Sequence, residues 1–135
     1  MPQITVKAAI NSIPSVTDFA VALLEEYQCD MRAQMQICVA IDEMFSNIAY
    51  YAYPNGEGEA TVIASFDATD RLFSLTFIDS GIPYNPLEKA DPDVTLSAEE
   101  RQIGGLGIMM VRKTMDDMTY EYRDGQNVLT ISKKI

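Results

Sequence analysis

Histidine is absent from this chain, and cysteine occurs only at Cys29 and Cys38. Two irregularly spaced thiols without a single imidazole exclude a zinc site and a disulfide framework, and imply two packed cysteines in a reduced, cytoplasmic setting. Positive charge is also scarce. Ten basic against twenty acidic residues give a formal charge of -10, a field that repels phosphate backbones and anionic bilayers. Direct nucleic-acid binding is therefore not expected, although a small group of backbone amides can hold a phosphate even in an acidic protein. Long apolar runs are missing too. The N-terminal "MPQITVKAAI" has no apolar stretch behind a basic start, and nothing further along is long enough to cross a membrane, so neither secretion nor membrane insertion is expected.

What remains is an ordinary globular composition, 47% hydrophobic and 22% charged over 135 residues. That is room for one core, and the expectation is a single domain over residues 1–135 with no linker or repeat.

Residues 3–9 alternate weakly and predict a first strand. Pro14 stands near the start of a helix carrying Phe19, Leu23 and Leu24 at helical spacing. A second helix is expected from about Met31 to Tyr51, with Ile37, Ile41, Met44, Phe45, Ile48 and Ala52 as its buried stripe and Pro54 and Gly56 ending it. Residues 59–67 and 71–79 alternate with period two around Ala68, Thr69 and Asp70, which predicts a hairpin. A proline- and charge-rich stretch between Gly81 and Gly104 has the length of a lid or binding loop. "GGLGIMMVRKTMDDM" then reads as a glycine-led helix, and "TYEYRDGQNVLTISKK" as a closing hairpin about Asp124 and Gly125. The predicted fold is α+β: a two-layer sandwich with a mixed, mainly antiparallel sheet and the helices on one face.

Three constellations stand apart from this frame. Glu43 and Asn47 are i and i+4 on the second helix, so their side chains stand one above the other beside its apolar stripe. Most polar helical pairs are a solvated face, but Asn costs about 0.6 kcal/mol relative to Ala in a helix interior and adds no charge. "FIDSGIPYNP" puts Asp79 at the end of an apolar strand with Gly81 two residues on. A turn explains these residues; equally, a strand-end carboxylate accepts a hydrogen bond from a ligand amine, and a residue without Cβ lets a flat ring such as adenine approach. Gly104, Gly105 and Gly107 fall within four residues ahead of a helix, where each glycine costs about 1 kcal/mol. A hinge would explain them. Exposed amides at a helix N-terminus also cradle phosphate, although the spacing is neither a Walker P-loop nor a dinucleotide fingerprint. Asn47 offers a neutral oxygen suited to Mg²⁺, which keeps its waters and shares phosphate oxygens.

In this order the motifs resemble the GHKL ATPase superfamily, and within it the small anti-sigma-factor serine kinases of bacterial partner-switching systems. Glu43 and Asn47 in "DEMFSNIAYYAYP" match the N-box, Asp79 and Gly81 in "DSGIPYNP" the Asp-x-Gly box, and Gly104, Gly105 and Gly107 in "GGLGIMMVRKTMDD" the glycine box. The resemblance implies ATP and Mg²⁺ as cofactors, Asn47 as the Mg²⁺ ligand, Asp79 on the adenine amine, and Gly104, Gly105, Leu106 and Gly107 along the phosphates under a lid over residues 84–103. It implies Glu43 as general base toward a serine or threonine hydroxyl, Thr130 beside the adenine, and Arg101 on phosphate. A STAS-type antagonist as substrate, a sigma factor as partner and a homodimer follow from the same resemblance. Tyr51 departs from it, standing where relatives often carry His.

A histidine autokinase would need a phosphoacceptor histidine, and chaperone- or gyrase-like relatives need a transducer domain for which the length leaves no space. The remaining alternative is a module that binds ATP or a sigma factor without transferring phosphate. Having both Glu43 and Asn47 favours the kinase, because nucleotide binding alone requires no base.

Overall fold

The computed structural model describes residues 1–88 and 105–135. Strand β1 (Gln3–Lys7) leads through a 3₁₀ turn (Ile10–Ser12) into helix α1 (Ile13–Glu26) and then α2 (Met31–Tyr51); β2 (Glu59–Asp67) and β3 (Leu72–Asp79) follow. A second 3₁₀ turn, Pro86–Glu88, comes next, and after it α3 (Gly105–Thr114), β4 (Asp117–Arg123) and β5 (Gln126–Lys134).

The five strands form one sheet in the order β1-β2-β3-β5-β4. Among the described residues all four pairings are antiparallel, so no mixed sheet is formed there; the β2–β3 and β4–β5 hairpins each supply an antiparallel neighbour, and β1 beside β2 and β5 beside β3 join in the same sense. The first strand stops at Lys7 rather than residue 9. The Ala8 amide still donates in register to the Gly58 carbonyl, at 2.9 Å, but the Ala9 amide turns back onto the Lys7 carbonyl, at 2.8 Å, and the chain enters the 3₁₀ segment.

Period-two burial explains why the layers stack. Ala60, Val62 and Ala64 of β2, Phe73, Leu75 and Phe77 of β3, and Leu129 and Ile131 of β5 are all buried and in register on one face. That face takes the helices: Val16, Ala20 and Leu24 of α1, the predicted stripe of α2, and Ile108 and Val111 of α3 join the same core. Burying each of its large side chains, Phe45, Phe73 and Phe77 among them, contributes about 1.5–3 kcal/mol. The other face carries short hydroxyls that pair across strands, Thr5 with Thr61 at 2.9 Å, Ser74 with Ser132 at 2.8 Å and Thr76 with Thr130 at 3.0 Å.

Local chemistry sets the ends. Pro14 sits in the first turn of α1, and the Asp30 carboxylate caps α2 by accepting from the Ala33 amide at 2.8 Å. The β4–β5 hairpin turns at Asp124 and Gly125, both with positive φ (55° and 77°), as a two-residue loop of this hand requires. Tyr53, just past α2, donates to the Glu59 carbonyl at 2.7 Å and accepts from the Ser80 amide at 2.8 Å, pinning the helix end between β2 and β3.

Candidate active site

The C-terminal half of α2 and the ends of β3 and β5 enclose a cavity lined by Met44, Asn47, Ile48, Phe77, Asp79 and Leu129, with Tyr84, Pro86, Tyr120 and Asn127 around them. Its floor is apolar and its polar groups are few and convergent, the usual build of a small-molecule site.

Asp79 reaches the cavity because β3 alternates. It shares parity with Phe73, Leu75 and Phe77 and is 5% exposed. Its Oδ1 accepts from the Gly81 amide at 2.9 Å and from Asn127 Nδ2 at 2.8 Å. Both bonds fall on one oxygen, which leaves Oδ2 for a ligand donor. Burial pushes the carboxyl above its ordinary value, and the bonds from Asn127 and Gly81 hold it down in part.

Asn47 is buried on α2 and donates through Nδ2 to the Glu43 carbonyl one turn back, at 2.9 Å. Its Oδ1 accepts no hydrogen bond among the described residues, and that neutral oxygen at the cavity wall suits a hydrated Mg²⁺. Among those residues no cluster of three or more Asp, Glu, Cys or His offers a full cage, which fits an ion that takes its other oxygens from phosphates and water.

Glu43 is half-buried one turn below Asn47. A Cβ built on Gly107 would overlap its carboxylate, so the first turn of α3 lies directly against the Glu43 side chain. The glycine there serves close approach, which the spacing of glycines alone leaves open as a hinge.

Gly81 also serves an approach, but to a different surface. A Cβ there would run into the Ala52 carbonyl at the end of α2, and the next amide, Ile82, donates to that same oxygen at 2.9 Å. Gly81 thus seats the Asp79 turn on α2. Thr130 does not lie where a residue beside the adenine was expected. In register with Thr76, it sits on the hydroxyl face of the sheet, opposite the cavity, whose β5 positions are Asn127 and Leu129. Side chains alternate along a strand, so a one-residue difference decides the face.

Gly105 opens α3. Arg101 and Gly104, residues 89–103 of the expected lid, and the Leu106 side chain lie outside the described residues. The stem of that stretch is held firmly: the Tyr84 amide donates to Asn127 Oδ1 at 3.1 Å, Arg112 Nη2 donates to the Leu87 carbonyl, and the Tyr84 ring stacks on Tyr51 at 4.9 Å and 24°. Tyr51, where the motif pattern breaks, is therefore a partner of the stem and does not line the cavity.

Asn127 is the site residue that sequence reasoning missed. It shares strand parity with Leu129 and Ile131, and that inward phase is fixed only by the pairing of β5 with β3.

Comparison with known proteins supplies a family. The model of the histidine kinase-like ATPase domain matches residues 6–133. The chain is 30% identical over 112 residues to serine/threonine-protein kinase BtrW of Bordetella bronchiseptica, covering 83% of this chain and 77% of that protein. It is 28% identical over 131 residues to serine-protein kinase RsbW of Bacillus mycoides, covering 94% and 79%. The anti-sigma F factor of Clostridium acetobutylicum is 27% identical over 96 residues, covering 71% and 66%. With the match running from β1 to β5 around the cavity just described, the chain belongs to the histidine kinase-like ATPase domain family.

Proposed function

We propose that this chain is an ATP-dependent serine/threonine protein kinase and an anti-sigma regulatory factor, which phosphorylates a STAS-type antagonist of that factor. The observation that carries the reading is the contact between the Glu43 carboxylate and the Gly107 backbone. It sets a carboxylate base beside a helix N-terminus suited to phosphate, one turn from Asn47.

Adenine fits the Asp79 end of the cavity, its amino group donating to Oδ2, and the triphosphate runs toward the first turn of α3. Asn47 would hold Mg²⁺, which supplies charge neutralisation on the phosphates when bound. Glu43 takes the proton of the incoming serine or threonine hydroxyl as that oxygen attacks the γ-phosphorus and ADP leaves. Phosphoryl transfer asks a protein chiefly for positioning and electrostatics, so a base, a metal ligand and an amide cradle form a sufficient set. Gly104, Gly105 and Leu106 complete the cradle in this reading, and Arg101 contacts phosphate. The names of the relatives, two protein kinases and one anti-sigma factor, support the same activity and a sigma factor as partner. A homodimer and a cytoplasmic location belong to the proposal too; no helix among the described residues is long and apolar enough to cross a membrane.

The test is incubation with labelled Mg-ATP and the STAS protein encoded nearest to this gene. Label on a serine or threonine of that protein is expected. ATP binding without transfer would replace the kinase with a nucleotide-binding sequestration module.

A further inference from the structure

Asn127 is 5% exposed, and every hydrogen-bonding position of its amide is used. Nδ2 donates to Asp79 Oδ1 and to the Ile82 carbonyl, both at 2.8 Å. Oδ1 accepts from the Tyr84 amide at 3.1 Å and from the Tyr120 hydroxyl. A buried amide is costly unless satisfied, and here its four partners come from three separate places: the end of β3, the backbone of residues 82–84, and β4.

We propose that Asn127 is the positioning residue for the base of the bound nucleotide: it fixes Asp79 with Oδ1 occupied and Oδ2 presented, and so selects adenine over guanine. The inference rests on the nucleotide reading above and deepens it. Adenine presents an amino donor where guanine presents a carbonyl acceptor, so an ionised carboxylate with one oxygen committed elsewhere accepts from the first and repels the second. Among the described residues no cation performs this fixing. The titratable groups among them that face Asp79 are Tyr53, beyond the end of α2, and Tyr120 of β4, and burial raises the pKa of both hydroxyls, which favours their neutral form. Without the Asn127 donor the carboxyl is freer to turn and more readily protonated, and a protonated Asp79 can donate to the guanine carbonyl.

The experiment is calorimetric titration of the full chain with Mg-ATP and Mg-GTP, from mildly acidic to neutral pH, for wild type and Asn127→Ala. The variant is expected to lose roughly tenfold or more in ATP affinity, to lose less for GTP, and to shed ATP binding at a higher pH than wild type. Equal loss for both nucleotides with an unmoved pH profile would reduce Asn127 to a structural staple and overturn the proposal, as would no change at all. If wild type binds neither nucleotide, the ATP reading itself fails and this inference with it. Should Asn127→Ala not fold, Asn127→Ser is read in the same way. The wild-type Asn127 side-chain amide resonances must in addition shift on saturation with ATP; their standing still while ATP binds would overturn the proposal.

Discussion

Asp79 is held as a buried carboxylate with two donors on one oxygen, and burial raises its pKa despite them. For a group whose folded pKa lies above its unfolded one, the native state binds the extra proton between the two values. Its contribution to stability is therefore full below the unfolded pKa and is lost as pH rises through the folded one. Asp79→Asn keeps an Oδ1 acceptor for Gly81 and Asn127 but places an amino group where Oδ2 stood. The ligand-free variant is expected to melt no lower than wild type at neutral pH and to lose that acid-to-neutral decline, while ATP affinity falls roughly tenfold to hundredfold; paired pH-melt and titration series check both. Asn47→Ala removes a neutral oxygen and a helix-anchored amide. Its expected signature is loss of most of the Mg²⁺-dependent part of ATP affinity, read by titrating with and without a chelator, with the Mg²⁺-independent part largely retained. Both residues were visible in the sequence, because a carboxylate ending an apolar strand and an Asn inside a helix each conflict with the element that holds them. Asn127 was not picked out: a run such as "NVLTISKK" does not declare its phase, and only pairing with β3 turns Asn127 inward and Thr130 outward.

At the scale of elements, α2 carries half the site, and its apolar period was strong enough to give its span and its buried stripe. The glycines were legible as unusual but not in what they serve, because close approach is a tertiary fact. Gly81→Ala would drive a Cβ into the Ala52 carbonyl and is expected to destabilise the fold by about 1–3 kcal/mol, measured by denaturant unfolding. Gly107→Ala meets a side-chain end instead of backbone, so Glu43 can swing aside. Transfer rate is expected to fall by at least about tenfold with little change in melting temperature, since a displaced base is costly to catalysis. Tyr51 owes its place to Tyr84. Tyr51→Ala is expected to cost about 0.5–1.5 kcal/mol through the lost stack, and Tyr51→His less, because an imidazole can still lie on the Tyr84 ring.

Over the whole molecule, an acidic chain with a formal charge of -10 binds a polyanion in the proposed function by local means: backbone amides at one helix start, one carboxamide, the Arg101 guanidinium, and Mg²⁺ on the phosphates. The antiparallel sheet makes this possible by bringing the end of β3, the start of β5 and the C-terminal half of α2 to one edge of the core, although they are far apart in sequence. The two-layer architecture followed from the hydrophobic periods; the sheet order and the purely antiparallel pairing did not, because they depend on where β5 inserts. The central claim, that Glu43 is the base of a protein kinase, is tested most directly by comparing phosphoryl transfer from Mg-ATP to the STAS partner by wild type and by Glu43→Gln, with ATP affinity measured for both. The expected result is ATP affinity within about threefold and transfer reduced by roughly a hundredfold or more, the scale of general-base catalysis. Transfer by Glu43→Gln at the wild-type rate would contradict it.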